Sequence, residues 1–188
     1  MSDLNANKKK TALIIKAYPV ALVFMSLALN LAVFSIGSPA IALPSHDLVT
    51  LMAIACLLLL LNHTWLMTST ELTRLEYNIR ATPEEWKASG ISKDEVTETG
   101  FAELQRRHNA HRNATENTTL FVLLAIPFLL ISPSALAAGV WLIGFAIGRL
   151  GHTYSYLSGN SGARGLFMSV SLLSLYGLAG YMAIALIF

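Results

Sequence analysis

The sequence has 188 residues, of which 54% are hydrophobic and 13% are charged. A soluble domain usually carries about 25% charged residues, so this composition favours a membrane protein. The formal net charge of +2 is too small to indicate a nucleic-acid-binding protein. A single cysteine, Cys56, excludes an internal disulfide, and its Ala, Ile and Leu neighbours favour an inert thiol over a catalytic one.

Five apolar runs follow a polar amino-terminal segment that ends in three lysines. These runs cover residues 11–36, 47–68, 115–132, 135–157 and 165–188. A helix that crosses a hydrocarbon core of about 30 Å needs roughly 20 residues, and most of the runs are long enough. We therefore predict an all-α integral membrane protein with five spanning helices. The first run could instead be a signal peptide with its cleavage site at Ala40-Ile-Ala42, but its apolar part exceeds the usual length of about 7–15 residues.

The distribution of Lys and Arg predicts how the chain is oriented. Three lysines end the amino-terminal segment, seven of the thirteen basic residues lie between Arg74 and Arg112, and Arg164 lies in the 158–164 connection. With five spans and the amino terminus inside, all these segments fall on the cytoplasmic side. The carboxyl terminus then lies on the opposite side. We expect a multi-pass protein of a bacterial inner membrane rather than of the endoplasmic reticulum.

The connection between the second and third runs has the composition of a cytoplasmic loop, over about residues 69–102. Within it, Thr82-Pro83-Glu84-Glu85 is typical of a helix start, with Thr82 as the cap and Pro83 at the first helical position. Ser89-Gly90 is expected to end this short helix.

The third run is preceded by a stretch that is dense in charged and amide side chains. Nothing between Glu103 and Ile126 breaks a helix, so we predict one helix that runs from outside the bilayer into it. One face of this helix carries two amides, a cation and an anion at i, i+3, i+4 and i+7: Asn109, Arg112, Asn113 and Glu116. Ionisable groups at this depth are costly and usually face a partner or a water-filled site.

A second polar face lies on the fourth predicted helix, where Arg149, His152 and Tyr156 are spaced i, i+3 and i+7. Arg74 ends the second helix and Arg164 opens the fifth, so both are expected to meet the two polar faces at the cytoplasmic side. Guanidinium groups offer forked donors to carboxylates, and the arrangement therefore favours an anionic ligand.

Positive-inside bias alone also accounts for arginines at helix ends, such as Arg74 and Arg107. It does not account for Glu116 and Arg149, which lie further into apolar sequence. We expect these two residues to neutralise each other or a ligand. No Cys/His spacing resembles a metal site, so we predict no metal.

Three segments resemble motifs of the MAPEG superfamily, the membrane-associated proteins of eicosanoid and glutathione metabolism. Ala81-Thr-Pro-Glu-Glu85 resembles the Asn-Pro-Glu-Asp of the family's cytoplasmic loop. Arg106-Arg-His-Asn-Ala-His-Arg-Asn-Ala-Thr-Glu116 contains its Ala-His-Arg-Asn core and the following Glu. Phe145-Ala-Ile-Gly-Arg-Leu-Gly-His-Thr-Tyr-Ser-Tyr-Leu157 resembles its Gly-Arg-x-x-His-x-x-x-Tyr segment. The resemblance covers about residues 45–188 and points to the microsomal glutathione transferase and prostaglandin E synthase-like members.

The resemblance implies a four-helix bundle over residues 45–188, to which residues 1–44 add a tail and an extra transmembrane helix. It implies a homotrimer that binds glutathione as co-substrate between neighbouring protomers near the cytoplasmic face. The family's glutathione contacts fall on Arg112, Asn113, Glu116, Arg149, His152 and Tyr156, and Asn109 shares the face of the first three. With a one-residue shift, Arg164 matches an arginine that is proposed in the family to stabilise the thiolate. Arg74 matches the arginine that closes the first core helix, and we take it as the second catalytic candidate.

The sequence departs from the prostaglandin E synthase branch of the family after Arg164. That branch has a Ser directly after the arginine and a Tyr one turn on, whereas here Gly165 follows and Phe167 and Met168 occupy the later region. We therefore predict a general, detoxifying glutathione transferase, with glutathione peroxidase activity as a second activity. Its substrates would be lipophilic electrophiles or lipid hydroperoxides that arrive from the membrane lipid. The alternative is a non-catalytic membrane regulator or binding protein of the same fold.

Overall fold

The computed structural model of the protein describes residues 2–34, 36, 39 and 41–187, with side chains from Asn7 onward. Ala40, which belongs to the predicted cleavage site, and Phe188, which ends the fifth apolar run, lie outside the described residues. Within the described ranges there is no β-strand, and the predicted all-α class is confirmed.

The part of the chain that the structure describes contains seven α-helices. They are α1 (Ser2–Val33), α2 (His46–Glu76), α3 (Pro83–Ser89), α4 (Glu98–Leu130), α5 (Ala135–Ala138), α6 (Gly144–Leu157) and α7 (Ser161–Ile187). The π-helical segment Gly139–Ile143 joins α5 to α6 without a break, and the 3-10 turn Lys93–Glu95 precedes α4. Counting α5 to α6 as one helix, five helices are long and apolar enough to cross a membrane. The five predicted spanning helices are therefore confirmed, although α1, α2, α4 and α7 extend beyond their apolar runs.

The short helix α3 lies in the predicted loop and has the predicted ends. The Thr82 hydroxyl accepts a hydrogen bond from the Glu85 backbone N–H at 3.3 Å, and Pro83 occupies the first position. Gly90 ends the helix in the left-handed conformation, with φ at 68°, which glycine adopts without a steric penalty.

The hydrophobic core lies between α2, α4, α6 and α7. At its centre Phe121 of α4 and Phe145 of α6 are fully buried and stack with their ring centroids 4.3 Å apart. Helices α6 and α7 approach closely at Gly148. A Cβ atom at this position would lie only 2.6 Å from the Ser171 hydroxyl oxygen. This packing fixes the rotation of α4 and α6 about their axes, and so determines which polar side chains meet.

The extra helix α1 packs mainly against α7 and keeps most of its surface exposed. Its buried Asn30 accepts a hydrogen bond from the Trp141 indole N–H at 2.9 Å and donates one to the Gly177 carbonyl at 3.0 Å. Side-chain amides that bond across helices stabilise helix association in lipid. Asn30 therefore connects α1 both to α7 and to the π-helical segment that carries Trp141.

Candidate functional site

Arg149 on α6 is the centre of the polar cluster between α4, α6 and α7. Its side chain is completely buried, and one terminal nitrogen (Nη2) donates to the Asn113 carboxamide oxygen at 2.8 Å. The same nitrogen lies 3.2 Å from Nδ1 of His152, and Nη1 lies 3.7 Å from the Met168 sulfur. The Nε atom has no hydrogen-bond partner among the described residues. The guanidinium is therefore held in place by neutral groups.

Arg149 and Glu116 were expected to neutralise each other or a ligand, and the described part of the protomer shows no pair between them. Arg149 contacts Asn113 instead, while Glu116 is exposed and forms no ion pair among the described residues. The reason is geometric: three residues along a helix turn a side chain by about 300°, so Glu116 points about 60° away from the direction of Asn113. The amide faces α6, and the carboxylate faces outward.

The amino-terminal side of the same α4 face is organised by Asn109. The Asn109 carboxamide oxygen accepts hydrogen bonds from the Gln105 amide at 2.9 Å and from the Arg112 guanidinium at 3.4 Å. Arg112 is exposed, and its remaining donors are available to a ligand. Asn109 and Arg112 therefore share one face of α4, as the spacing predicts, and a hydrogen bond joins them.

Arg164 in the first turn of α7 joins the cluster through Tyr156. Its guanidinium carbon lies 5.0 Å from the centroid of the Tyr156 ring, a cation–π distance. The Tyr156 ring in turn lies 5.5 Å from the His152 ring. A continuous set of contacts therefore runs from Arg149 through His152 and Tyr156 to Arg164.

Arg74 is placed apart from this set. Its guanidinium pairs with Glu71 at 3.1 Å and lies 3.5 Å from the His108 imidazole. No hydrogen bond or ion pair joins Arg74 to α6 or α7 in the described part of the protomer. The structure thus brings Asn113, Arg149, His152, Tyr156 and Arg164 together and leaves Arg74 outside the group.

Two contacts, one in the cluster and one on the adjoining α4 face, were not predicted. Met168 lies four residues after Arg164, on the same face of α7, and places its thioether against Arg149; the i, i+4 spacing was the available signal. Gln105 lies four residues before Asn109 and fixes its amide. Among the described residues, no group of three His, Cys, Asp or Glu side chains is arranged to hold a metal ion.

The cluster and the adjoining α4 face together carry three cations with a shortage of anions. Arg112, Arg149 and Arg164 form no ion pair with any described carboxylate, and the exposed Glu116 is the nearest acidic residue in sequence to Arg112. A buried charge without a counter-charge is strongly destabilising. The arrangement therefore suits a ligand that carries more than one negative group.

The fold and this cluster define a multi-pass, all-α integral membrane protein with a polar site between its helices. The MAPEG family profile matches residues 52–184, so the chain belongs to the MAPEG family, a group of membrane proteins of glutathione and eicosanoid metabolism. A search of curated proteins found no match to the chain. Helix α1 lies outside the matched residues.

Proposed function

We propose that the protein is a membrane-bound glutathione transferase that activates the glutathione thiol for attack on lipophilic electrophiles or lipid hydroperoxides. The observation that carries this proposal is the buried Arg149 guanidinium, which has neutral partners and no carboxylate partner among the described residues. Glutathione supplies two carboxylates, and family membership makes it the natural candidate among ligands with two carboxylates.

The proposed binding mode uses the charges that the protomer leaves unpaired. Arg112 and Arg149 bind the glutathione carboxylates, since charge-assisted hydrogen bonds to guanidinium are stronger than neutral ones. Glu116 binds the ammonium group. The amides of Asn109 and Asn113, with His152 and Tyr156, orient the peptide groups between the charged ends.

The exposure of Arg112 and Glu116 supports a site that is shared between protomers of a homotrimer. Both residues lie on spanning helix α4, yet neither is covered by another helix of the protomer. Exposed charges at that depth would be costly in lipid. A neighbouring protomer and a bound glutathione would cover them together.

The proposed chemistry depends on a glutathione thiolate held beside Arg164, with Arg74 as the second candidate for this role. A free thiol has a pKa of about 8.5, and a nearby cation favours the thiolate. In conjugation the sulfur forms a bond to the electrophilic carbon, and the leaving group departs with its electron pair. With a lipid hydroperoxide the sulfur attacks the terminal oxygen, the O–O bond breaks, and the lipid alkoxide takes a proton. A second glutathione then converts the sulfenic product to the disulfide and releases water.

The proposed organisation comprises residues 1–44 as an added tail and helix, and residues 45–188 as the MAPEG domain. The basic amino-terminal end of α1, the connection around α3 and Arg164 lie on the cytoplasmic side, and the carboxyl terminus lies opposite. A bacterial inner membrane is the proposed location. Lipophilic substrates then reach the site laterally from the membrane lipid.

Stopped-flow absorbance of the thiolate after mixing the protein with glutathione tests the proposed activity. A rapid rise in thiolate absorbance at neutral pH is expected, because the arginines stabilise the ionised sulfur. Binding of glutathione without any thiolate signal would contradict the transferase proposal. That outcome would favour the alternative of a non-catalytic membrane regulator or binding protein.

A further inference from the structure

One reactive side chain of the cluster has no part in the proposed binding mode or chemistry. Met168 on α7 places its thioether sulfur 3.7 Å from Nη1 of Arg149. It lies four residues after Arg164, on the same face of the helix. The lone pairs of a thioether sulfur can be oxidised by peroxides to give a sulfoxide. Met168 is therefore an oxidisable group within the cluster that is proposed to receive lipid hydroperoxides.

The contact between Met168 and Arg149 uses a weak acceptor. Among the described residues, Nη1 of Arg149 has no hydrogen-bond partner other than this sulfur, whereas Nη2 contacts Asn113 and His152. A thioether accepts hydrogen bonds only weakly, so a glutathione carboxylate can replace it at Nη1 at little cost in free energy. Met168 in its reduced form thus leaves this donor available to the proposed ligand.

The separation between the two side chains also fits the oxidised form of Met168. An S–O bond of about 1.5 Å and an N–H···O hydrogen bond of about 2.8 Å, meeting at about 115° at the oxygen, span about 3.7 Å. The Met168 sulfur and Nη1 of Arg149 lie 3.7 Å apart. A sulfoxide oxygen on Met168 can therefore accept the Nη1 N–H without displacement of either residue.

We propose that Met168 is a methionine-oxidation site whose oxidant is a lipophilic hydroperoxide, and that its sulfoxide lowers the affinity of the cluster for glutathione. This site rests on the proposed function, which brings hydroperoxides to the cluster. The sulfur lone pair attacks the terminal peroxide oxygen, so that an S–O bond forms and the O–O bond breaks. The departing alkoxide takes the hydroperoxide proton and leaves as an alcohol. The sulfur is oxidised by two electrons and the peroxide is reduced by two.

Oxidation at Met168 makes the binding site depend on the supply of glutathione. When glutathione is bound, its thiolate consumes an arriving hydroperoxide and its carboxylate occupies Nη1 of Arg149. When glutathione is absent, the Met168 sulfur is the oxidisable group beside the guanidinium. The sulfoxide oxygen then accepts the Nη1 N–H, and a carboxylate has to break this charge-assisted hydrogen bond before it can bind.

Peptide mass spectrometry after peroxide treatment tests the modification site. The full-length protein in nanodiscs of saturated phosphatidylcholine is treated with cumene hydroperoxide in the absence of glutathione. We expect Met168 to gain one oxygen at least about tenfold faster than Met25, because the cluster holds the hydroperoxide and the Arg149 cation stabilises the leaving alkoxide. Met25 is 46% exposed on α1 and lies outside the cluster. S-methylglutathione, which keeps both carboxylates but has no free thiol, should protect Met168 and not Met25.

Calorimetric titration with glutathione, before and after peroxide treatment, tests the effect of the sulfoxide. Complete oxidation of Met168 is expected to weaken glutathione binding by about tenfold. Peroxide should leave the affinity of Met168→Leu at the value of the untreated variant, because the sulfur is absent. Met25→Leu is the matched control, and peroxide should lower its affinity as it does in the wild type.

Three results would overturn the proposal. They are oxidation of Met25 as fast as Met168, unchanged glutathione affinity after complete oxidation of Met168, and an equal loss of affinity in peroxide-treated Met168→Leu. Titration of the untreated wild type tests the proposed function separately, since absent glutathione binding there contradicts that function. The ratio of Met168 to Met25 oxidation is measured without glutathione and so tests the modification site by itself.

Discussion

Six of the seven arginines of this protein, all except Arg80, fall into two regions with different electrostatic environments. In the first region Arg74, Arg106 and Arg107 each contact a glutamate three or four residues away on the same helix. In the second region Arg112, Arg149 and Arg164 come from three different helices and have no carboxylate partner among the described residues. The difference separates arginines that are neutralised locally from arginines whose charge is available to a ligand.

Local pairing explains why helix-end position alone is a poor guide to a binding site. A glutamate at i−3 or i−4 neutralises an arginine whatever the rest of the fold does. Glu103 does so for both Arg106 and Arg107, inside the segment that carries the family motif. Positive-inside bias accounts for this first region, and the proposed glutathione ligand would account for the second.

The largest expected effect comes from replacing Arg149, with a substitution of Arg106 in the paired region as the control. Arg149→Met should weaken glutathione binding by more than about 100-fold, roughly 2.8 kcal/mol. It should not lower the melting temperature, because it removes an uncompensated buried charge and fills the space with an apolar side chain. Arg106→Met, its control in the paired region, should leave affinity nearly unchanged. Calorimetric titration that finds equal losses in both variants would remove the distinction between the regions.

The next largest effect concerns Arg164 and the chemical step. Arg164→Ala should lower turnover of chlorodinitrobenzene by about 10²-fold, the scale for losing one preorganised donor to a developing anion. Glutathione affinity at pH 6 should change far less, because the interaction grows as the thiol loses its proton. If the pH dependence of turnover is the same as in wild type, Arg164 does not set the thiol's ionisation, and Arg74 becomes the candidate. A silent Arg164→Lys would indicate that Arg164 only marks the helix boundary.

A smaller effect is expected at the exposed face of α4. Arg112→Ala and Glu116→Ala should each weaken glutathione binding by about tenfold, or 1.4 kcal/mol, since each removes one charged contact. Glu71→Ala is the matched control, because Glu71 belongs to the paired region. Unchanged affinity in both α4 variants by calorimetric titration would show that this face does not bind glutathione.

The smallest effect is expected from removal of α1. Deletion of residues 1–40 should leave glutathione affinity nearly intact, because α1 contributes no residue to the described cluster. The melting temperature should fall, since the Asn30 bonds to Trp141 and Gly177 are lost. Loss of glutathione binding in a deletion variant that still forms trimers would show that α1 takes part in the site.

Hydropathy predicted the spanning helices, and residue spacing predicted the polar faces of α4 and α6, because both depend on local sequence. They placed Asn113 and Glu116 on one face but did not predict which of the two reaches Arg149. That choice depends on the rotation of α4 against α6, which is fixed by packing such as the Phe121–Phe145 stack. A difference of about 60° around the helix axis decides whether the Asn113 amide or the Glu116 carboxylate reaches Arg149.

Two further features required the three-dimensional arrangement. Asn30 was visible only as an interruption in the first apolar run, and its partners lie 111 and 147 residues away. A cavity between α2 and α4 brings Asn62 and His63 together with His111, which no sequence spacing connects. Polar groups in apolar helices mark such positions in a sequence, but their partners are determined by helix packing.

The unpaired arginines are proposed to bind the carboxylates of glutathione. Calorimetric titration of the wild-type protein with glutathione and with its diethyl ester tests this binding mode directly, because the ester keeps the thiol and ammonium but has no carboxylate charge. We expect the ester to bind more than about 100-fold more weakly, since the charge-assisted contacts to Arg112 and Arg149 are lost. Equal affinity for the two ligands would contradict the account.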